Sequence, residues 1–471
     1  MKIVIVGAGE VGFELAKQLV LENKDVILIE QNPAKADSVA RKLDCKVVTG
    51  PGNNPDTLKK AGVNKADFFI SVTGSDEVNI ISCGLVDKDC SISYKIARVK
   101  NIDYFTTKIM DKSFMGIDFI VNPEIEAAKK IINTIESGAS SDIIMFEQGD
   151  IQMRNAVVSK DSFLRDMSIK DLRRKLPMDF LIAGIEKSDH FIIPSGDTVM
   201  HEEDNLYFLA TKSELERIFH IIGRHPIEVK NVVIVGGTKI GVYVAQHLIQ
   251  NRKKEKRLRN RLLDYLFRTQ IKNTKIKSVK IIEENYDKCK ELSDLFPEAL
   301  IINADISDES VFEEEGLSEY DLIVTTTTNY ELNILVALYA KRIGTVRAIS
   351  MVNQKNYMNM ASKLGIDSVV SPKDSITSPI LKFIRKGNIK SIHSISGGDV
   401  EVMELSLEKK NQLTGKKIKD LHLPVHSLII SVVRSGHSII PHGNLLIEDN
   451  DHIIIIAQKE YVGKIESLLS V

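Results

Sequence analysis

Cysteine is scarce in this 471-residue chain: Cys45, Cys83, Cys90 and Cys289 are scattered without CxxC spacing. That excludes a zinc ribbon and a disulfide framework and favours buried, reduced thiols. Long hydrophobic runs are missing too. The longest, such as Ile453 to Ala457, fall far short of the ~18–20 apolar residues that span a bilayer. The start, Met1 to Gly7, has no charged segment leading into a cleavable apolar one, so a cytosolic chain without a secretory signal is expected. Wholesale disorder is excluded as well. With 43% hydrophobic and 27% charged residues, each domain can bury a core. At ~100–200 residues per domain the length predicts three or four domains.

What the chain has is itself, twice. Residues 1–12 read MKIVIVGAGEVG and residues 230–241 read KNVVIVGGTKIG, so Gly7 maps to Gly236 and Gly12 to Gly241 at an offset of 229. Further on, AGVNKADFFISVTGSDEVN, ending at Asn79, parallels EGLSEYDLIVTTTTNYELN, ending at Asn333, at an offset of 254. The change of offset places an insertion between the first helix and second strand of the later copy. The echo continues: IKDL recurs at Ile169 and Ile418, IIPSGD at Ile192 returns as IIPHGN at Ile439, and HEEDNLYFLA returns as IEDNDHIIIIA. Such ordered anchors imply an A–B–A′–B′ organisation.

Within A, apolar runs (Ile3 to Val6, Asp25 to Ile29, Cys45 to Val48, Phe68 to Val72) alternate with helical patterns, and Val11, Leu15 and Leu19 fall on one helix face. Strand–helix alternation implies parallel strands with right-handed crossovers. The B segments carry short alternating runs between PSGD or SGH turns. The expected fold is α/β: two doubly wound parallel-sheet Rossmann-like domains at 1–140 and 228–375, each followed by a small α+β module, at 141–225 and 385–471.

Gly7-Ala8-Gly9-Glu10-Val11-Gly12 fits GxGxxG between an apolar run and a helix. Glycines there allow a tight turn and close approach of a diphosphate to the helix terminus. Glu30 closes the second strand, where its carboxylate would accept bonds from ribose hydroxyls and repel a 2′-phosphate; this favours NAD(H) or another adenine nucleotide over the phosphorylated dinucleotide. The second loop, Gly236-Gly237-Thr238-Lys239-Ile240-Gly241, carries Thr238 in place of the second glycine. A side chain there is expected to crowd a diphosphate. Glu283 takes the place of Glu30. Glu10 against Lys239 suggests NAD(H) at the first site and NAD(H) or ATP/ADP at the second, unless Lys239 is simply a solvated first-turn residue. Pro51-Gly52, Thr73 and Arg98 lie at strand ends, where open α/β sheets bind ligands. Arg98 suits a phosphate or ribose partner or an interdomain ion pair, and Ser350 is its expected counterpart.

Catalytic equipment is absent from this pattern. A dehydrogenase needs an acid/base beside the nicotinamide, yet the two A segments hold no histidine except His247. The remaining histidines lack metal spacing, and neither GxSxG nor HExxH occurs. A binding protein is therefore expected rather than an enzyme. The alternatives are an NAD-dependent oxidoreductase with a duplicated domain and a redox-sensing transcription factor, which would need a helix-turn-helix.

MKIVIVGAGEVG with Glu30, GNNPDTLKKAGVNKAD, SVTGSDEVN, KIARV around Arg98, the restart at Gly236 and the late LLIEDNDHIIIIA are similar to the tandem RCK (regulator of potassium conductance) proteins of Trk potassium uptake. The resemblance runs through the whole chain apart from the insertion. It implies a nucleotide-binding regulatory subunit, assembled as a homo-oligomeric, tetrameric ring on the inner face of the cell membrane beneath a separate potassium-translocating subunit. It also implies NAD(H) contacts from Gly7 to Val11, Glu30, Pro51, Gly52, Thr73 and Arg98. Gly236 to Ile240, Glu283, Asp305 and Thr327 are the corresponding second-half positions.

The net charge of −1 conceals an asymmetry: residues 252–277 hold eleven Lys/Arg against Glu255 and Asp264. Leu258, Leu262, Tyr265 and Leu266 share a helical face there. This reads as a basic amphipathic helix near anionic lipid or the pore subunit, or as a solvated excursion packed on its own neighbours. Nucleic acid is not expected, since no DNA-binding motif accompanies it.

Overall fold

The computed structural model describes residues 1–90, 92–101, 104, 114–136, 143–146, 149–187, 190–223, 228–250, 276–385, 389–395, 399–407 and 411–469. The basic insertion at 252–277 falls almost wholly outside the described residues.

The first domain runs β1 Lys2–Val6, α1 Glu10–Leu21, β2 Asp25–Glu30, α2 Pro33–Lys42, β3 Lys46–Thr49, α3 Pro55–Ala61, β4 Phe68–Ser71, α4 Asp76–Asp89, β5 Tyr94–Arg98, β6 Phe119–Val121 and α5 Pro123–Glu136. Its six-stranded sheet has the order β3-β2-β1-β4-β5-β6, parallel throughout. Helices cover both faces of such a sheet, which is why Ile3, Val4 and Ile5 are consecutive and fully buried. The helix starts are written locally. Asn32 and Asn54 cap α2 and α3, each followed by proline at the first helical position, and the Ser75 hydroxyl caps α4.

The next module has β7 Ile143–Met145, β8 Ile151–Val157, α6 Ile169–Lys175, β9 Leu181–Lys187, β10 His190–Ile192, β11 Asn205–Thr211 and α7 Lys212–Ile221. Its antiparallel order is β10-β9-β11-β8-β7. The second doubly wound domain repeats the first: β12 Asn231–Val235, α8 Lys239–Gln250, β13 Ser278–Glu283, α9 Tyr286–Leu295, β14 Leu300–Asn303, α10 Ser310–Glu314, β15 Leu322–Thr325, α11 Tyr330–Ile343, β16 Arg347–Met351, α12 Lys355–Lys363, β17 Ser368–Val370 and α13 Thr377–Ile384. Its order, β14-β13-β12-β15-β16-β17, is that of the first sheet. The last module (β18 Ile389–Ile395, β19 Val400–Ser406, β20 Ser427–Arg434, β21 His437–Ile439, β22 His452–Gln458, α14 Val462–Leu469) has the order β18-β19-β22-β20-β21. Read from the opposite edge, that is the order of the earlier module.

The domains associate by kind. Met1–Ser141 and Ile227–Ile380 form one compact unit, and Asp142–Pro226 and Leu381–Val471 form the other. In the first unit α5 lies on α8, and Ile125, Ile131 and Ile135 share a core with Val244 and Leu248. The His247 ring and the Glu136 carboxylate, 3.0 Å apart, lie within this apolar contact. In the second unit Phe146, Met153 and Phe191 are buried with Val402, Ile430 and Ile454, which joins the two antiparallel sheets.

His393 of β18 packs edge-on against Phe146, with ring centroids 6.0 Å apart, and its Nε2 is buried without a hydrogen-bond partner. Burial, helped by the charge of Lys382, pushes its pKa down to about 4 from 6.5. The unfolded chain therefore binds the extra proton first. Stability contributed by the neutral ring is complete above pH ~6.5 and is lost as the pH falls toward ~4. Urea unfolding of the second unit is expected to show a loss of up to about 3 kcal/mol across that window, and His393→Leu is expected to flatten it.

Candidate nucleotide-binding site

The first cradle starts from a backbone requirement. β1 delivers the chain into Gly7, whose φ of +98° lies in the region that favours glycine. Gly12 follows in the first turn of α1, where a Cβ would stand 1.9 Å from the Gly7 carbonyl oxygen. The helix thus rests directly on the loop. Gly9 is different, for a Cβ placed there meets nothing within 4 Å, and as the residue preceding α1 it provides no side-chain cap. The first-turn N–H groups are left to an outside acceptor, the arrangement that receives a phosphate.

Glu30, at the end of β2, is nearly buried. Its Oε2 accepts the Ala8 N–H at 2.8 Å and its Oε1 the Asn32 N–H at 2.9 Å, with Lys35 Nζ 4.0 Å away. The carboxylate therefore braces the glycine loop as well as facing the cleft, where its remaining lone pairs can accept ribose hydroxyls.

Asn79, fully buried on α4, ties the strand ends together. Its Oδ1 accepts the Thr73 N–H and hydroxyl at 2.8 and 2.7 Å, and its Nδ2 donates to the carbonyls of Thr73 and Arg98. Asn333 does the same for Thr327 and Met351 in the second domain. The repeat anchor at these two asparagines was visible in the sequence; their structural role was not.

Arg98 leaves β5 pointing at the cleft. Its Nη1 donates to the Thr73 carbonyl at 3.0 Å, while its Nε is buried without a partner. Desolvation lowers its pKa against the opposing pull of Asp76 and Glu124, so an arriving anion would find a cation only partly compensated.

These parts enclose a cavity of about 530 Å³ lined by Gly7, Gly9, Glu10, Val11, Glu30, Pro51, Gly52, Thr73 and Arg98. It lies beyond the carboxyl ends of the strands at the switch between β1 and β4, where open α/β sheets take ligands. Ala8 and Gly12 act behind the wall, through a backbone hydrogen bond and a close contact. Gln31, Lys35, Asn53, Ser75 and Lys373 are among the other residues of the lining. Lys373 belongs to the second domain, and no local signal in the sequence places it here.

The second loop keeps the turn and changes the opening. Gly236 has φ +99°, and a Cβ on Gly241 would lie 2.3 Å from the Gly236 carbonyl oxygen. Glu283 Oε2 accepts the Gly237 N–H. Thr238, where the first loop has open Gly9, turns its hydroxyl onto the Thr326 carbonyl at 2.8 Å and accepts the Gly241 N–H at 3.3 Å. The crowding expected of Thr238 is moderated to that extent: the hydroxyl is folded into the loop.

Sheet register corrects one correspondence. Ser71 pairs with Ala97 and Thr325 with Ser350, so Ser350 matches Ala97, and the counterpart of Arg98 is the buried Met351. Likewise Glu30 pairs with Thr49 and Glu283 with Asn303, which sets exposed Asp305 at the place of Pro51 and buried Ile306 at that of Gly52. Hydrogen bonds from Ser307 hold the Asp305 carboxyl below its usual pKa. Thr327 occupies the place of Thr73, and Ile240 is buried. Lys239 Nζ is 3.8 Å from Glu124, and Glu10 is 2.6 Å from Lys373 Nζ. Both charges used to separate the two sites by ligand are therefore met across the domain contact.

Among the described residues no group of three or more His, Cys, Asp or Glu could hold a metal, and no helix is long and apolar enough to cross a membrane. Fold and cradle together define a tandem Rossmann-type protein with RCK architecture. The chain belongs to the Trk system potassium uptake protein TrkA family. The TrkA-N domain profile matches residues 3–123 and 264–372, and the TrkA-C domain profile matches 153–223 and 402–470. The TrkA homolog of Archaeoglobus fulgidus is 30% identical, with 99% of this chain and 100% of that protein aligned. TrkA of Azorhizobium caulinodans is 27% identical over 100% and 99%. Among solved structures, the GsuK RCK domain has a TM-score of 0.53 at 18% identity over 100% of this chain and 95% of its own. The GsuK channel bound to NAD has the same score and identity, over 100% and 79%.

Asn79→Ala would strand the Thr73 N–H and the Arg98 carbonyl and leave the Thr73 carbonyl to Arg98 Nη1 alone. We expect a loss of about 3 kcal/mol or more in denaturant unfolding, with Asn333→Ala costing a similar amount.

Proposed function

We propose that this protein is the nucleotide-sensing regulatory subunit of a Trk-type potassium uptake system. NAD(H) occupies the first cradle, and occupancy changes the gating of a separate membrane subunit on which a homo-oligomeric, tetrameric ring is seated. The observation that carries this reading is the first cavity, where open Gly9 and the half-satisfied guanidinium of Arg98 face the same space. A dinucleotide supplies a diphosphate for those donors. Glu30 accepts from the adenosine ribose, and Pro51-Gly52 and Thr73 wall the cleft. The shared architecture of the NAD-bound GsuK channel and the naming of the full-length relatives as potassium uptake proteins support the same reading.

The second cradle keeps its turn and Glu283 but has Met351 instead of a guanidinium, so we assign it NAD(H) or ATP/ADP with the weaker affinity. The oxidoreductase alternative would need an acid/base beside the nicotinamide, whereas the described lining of the first cavity supplies phosphate and ribose contacts. Regulation then works by population shift. The ligand moves the ring only by the difference in its affinity for two conformations, and a coupling of ~1–3 kcal/mol gives about 5–150-fold modulation.

Calorimetric titration of the purified chain with NADH is the test. Gly9→Val, which puts a branched side chain into the open face, is expected to weaken NADH binding by at least about a hundredfold, the scale of losing two or more charge-assisted bonds. Unchanged binding would remove the assignment, and steady turnover of NADH with a metabolite would restore the enzyme reading.

A further inference from the structure

Among the described residues, the cavity wall contains one that the first domain does not supply. Lys373 follows β17 of the second domain, yet it lines the first cavity beside Glu10 and Arg98. Its Nζ lies 2.6 Å from Glu10 Oε2, with the lysine side chain one-third exposed and the glutamate largely exposed.

The repeat shows that this contact is one of a related pair. VNPE, beginning at the last residue of β6, matches VSPK, beginning at the last residue of β17, so Lys373 stands where the first half has Glu124, just as Lys239 stands where it has Glu10. Each crossover residue meets the loop residue of the other domain: Lys373 with Glu10, and Glu124 with Lys239 at 3.8 Å. Charge is inverted at both positions. Two first halves facing each other in this way would oppose Glu10 to Glu124, and two second halves Lys239 to Lys373. The inversion suits the pairing of unlike halves, and only that pairing brings a lysine to the mouth of the first cavity.

The lysine has a choice of partner there. Glu10 is an exposed carboxylate in water, a weak holder of a cation, whereas a diphosphate seated on the loop would bring a larger, less hydrated anionic charge into the same lining. Arg98 on the far side has one buried nitrogen unpaired, so the wall holds two donors spaced around a space shaped for an anion.

Building on the nucleotide reading above, we propose that Lys373 is a phosphate ligand of the first site, contributed by the second domain, and that nucleotide binding exchanges its Glu10 partner for the diphosphate. The first site is then composite. A bound nucleotide bridges the two Rossmann-like domains, and the Glu10 contact that it replaces belongs to the domain interface.

Isothermal titration of the full-length chain with NADH, ADP and adenosine tests this. Lys373→Ala is expected to weaken NADH and ADP about tenfold, the scale of one charge-assisted hydrogen bond, and to leave adenosine, which has no phosphate, unchanged. Lys373→Arg should retain most of the affinity. Glu10→Gln is expected to tighten NADH and ADP about threefold by releasing the lysine from its competitor. A purely structural ion pair predicts otherwise, with Glu10→Gln and Lys373→Ala moving affinity in the same direction or not at all, and that result would overturn the proposal. Should Lys373→Ala not fold, Lys373→Met, which keeps the length of the side chain without its charge, is expected to show the same loss for NADH and ADP, and unchanged affinity would overturn the proposal. If the wild-type chain binds neither NADH nor ADP, the nucleotide reading fails and this inference falls with it. Phosphate-dependent binding that ignores Lys373 overturns only the inference.

Discussion

A single steric constraint underlies the cradle: the chain leaving the central strand must turn with positive φ at Gly7 and then admit a helix close enough to touch that turn. A side chain at Gly12 would collide with the Gly7 carbonyl, and one at Gly241 with that of Gly236. Once the helix is seated, its first-turn N–H groups converge on one point. The Ala8 N–H comes within reach of Glu30, and the strand ends open into a cleft. Loosening the turn would move the helix, the brace and the cavity together, because they share this backbone contact.

The two halves show how such a constraint can outlast a change of opening. Both keep the glycine turn, the carboxylate at the end of the second strand and the buried asparagine that ties strand to helix. They differ where a ligand would enter. Gly9 leaves open space, whereas Thr238 donates its hydroxyl to a loop carbonyl; Arg98 brings a charge, whereas Met351 brings apolar packing; Gly52 becomes buried Ile306. The shared residues satisfy backbone groups that would be costly to leave unpaired in any copy of the fold. The differing residues stand at the opening, where a change of side chain alters what a ligand would meet.

Association by kind adds a further consequence. The two parallel-sheet domains bury an apolar helix face against one another, and the two antiparallel modules do the same with their sheets. Burial of this sort drives association without directing it. Direction comes from the polar groups at the border, where opposite charges stand at repeat-related positions. A nucleotide held beside that border would act on the interface through short-range electrostatics, with no need of a long path through the core.

Sequence periodicity was enough for the repeat, the first strand runs of the first parallel sheet and the glycine turn, since each is governed by neighbours close along the chain or by a motif of fixed spacing. The buried stripe of Val11, Leu15 and Leu19 is a local matter of helical spacing. Other features were beyond it. The match of Arg98 to Met351 rather than Ser350 depends on strand register, which a one-residue slip reverses and only ladder hydrogen bonds fix. The role of Asn79 depends on a helix and two strand ends converging on one buried amide. Lys373 reaches the first cavity only because domains more than two hundred residues apart in sequence pack face to face. Local sterics and hydropathy determined the elements and the cradle, while the partners of each charged group were decided by tertiary packing, because electrostatic contacts depend on distances through space that spacing along the chain does not specify.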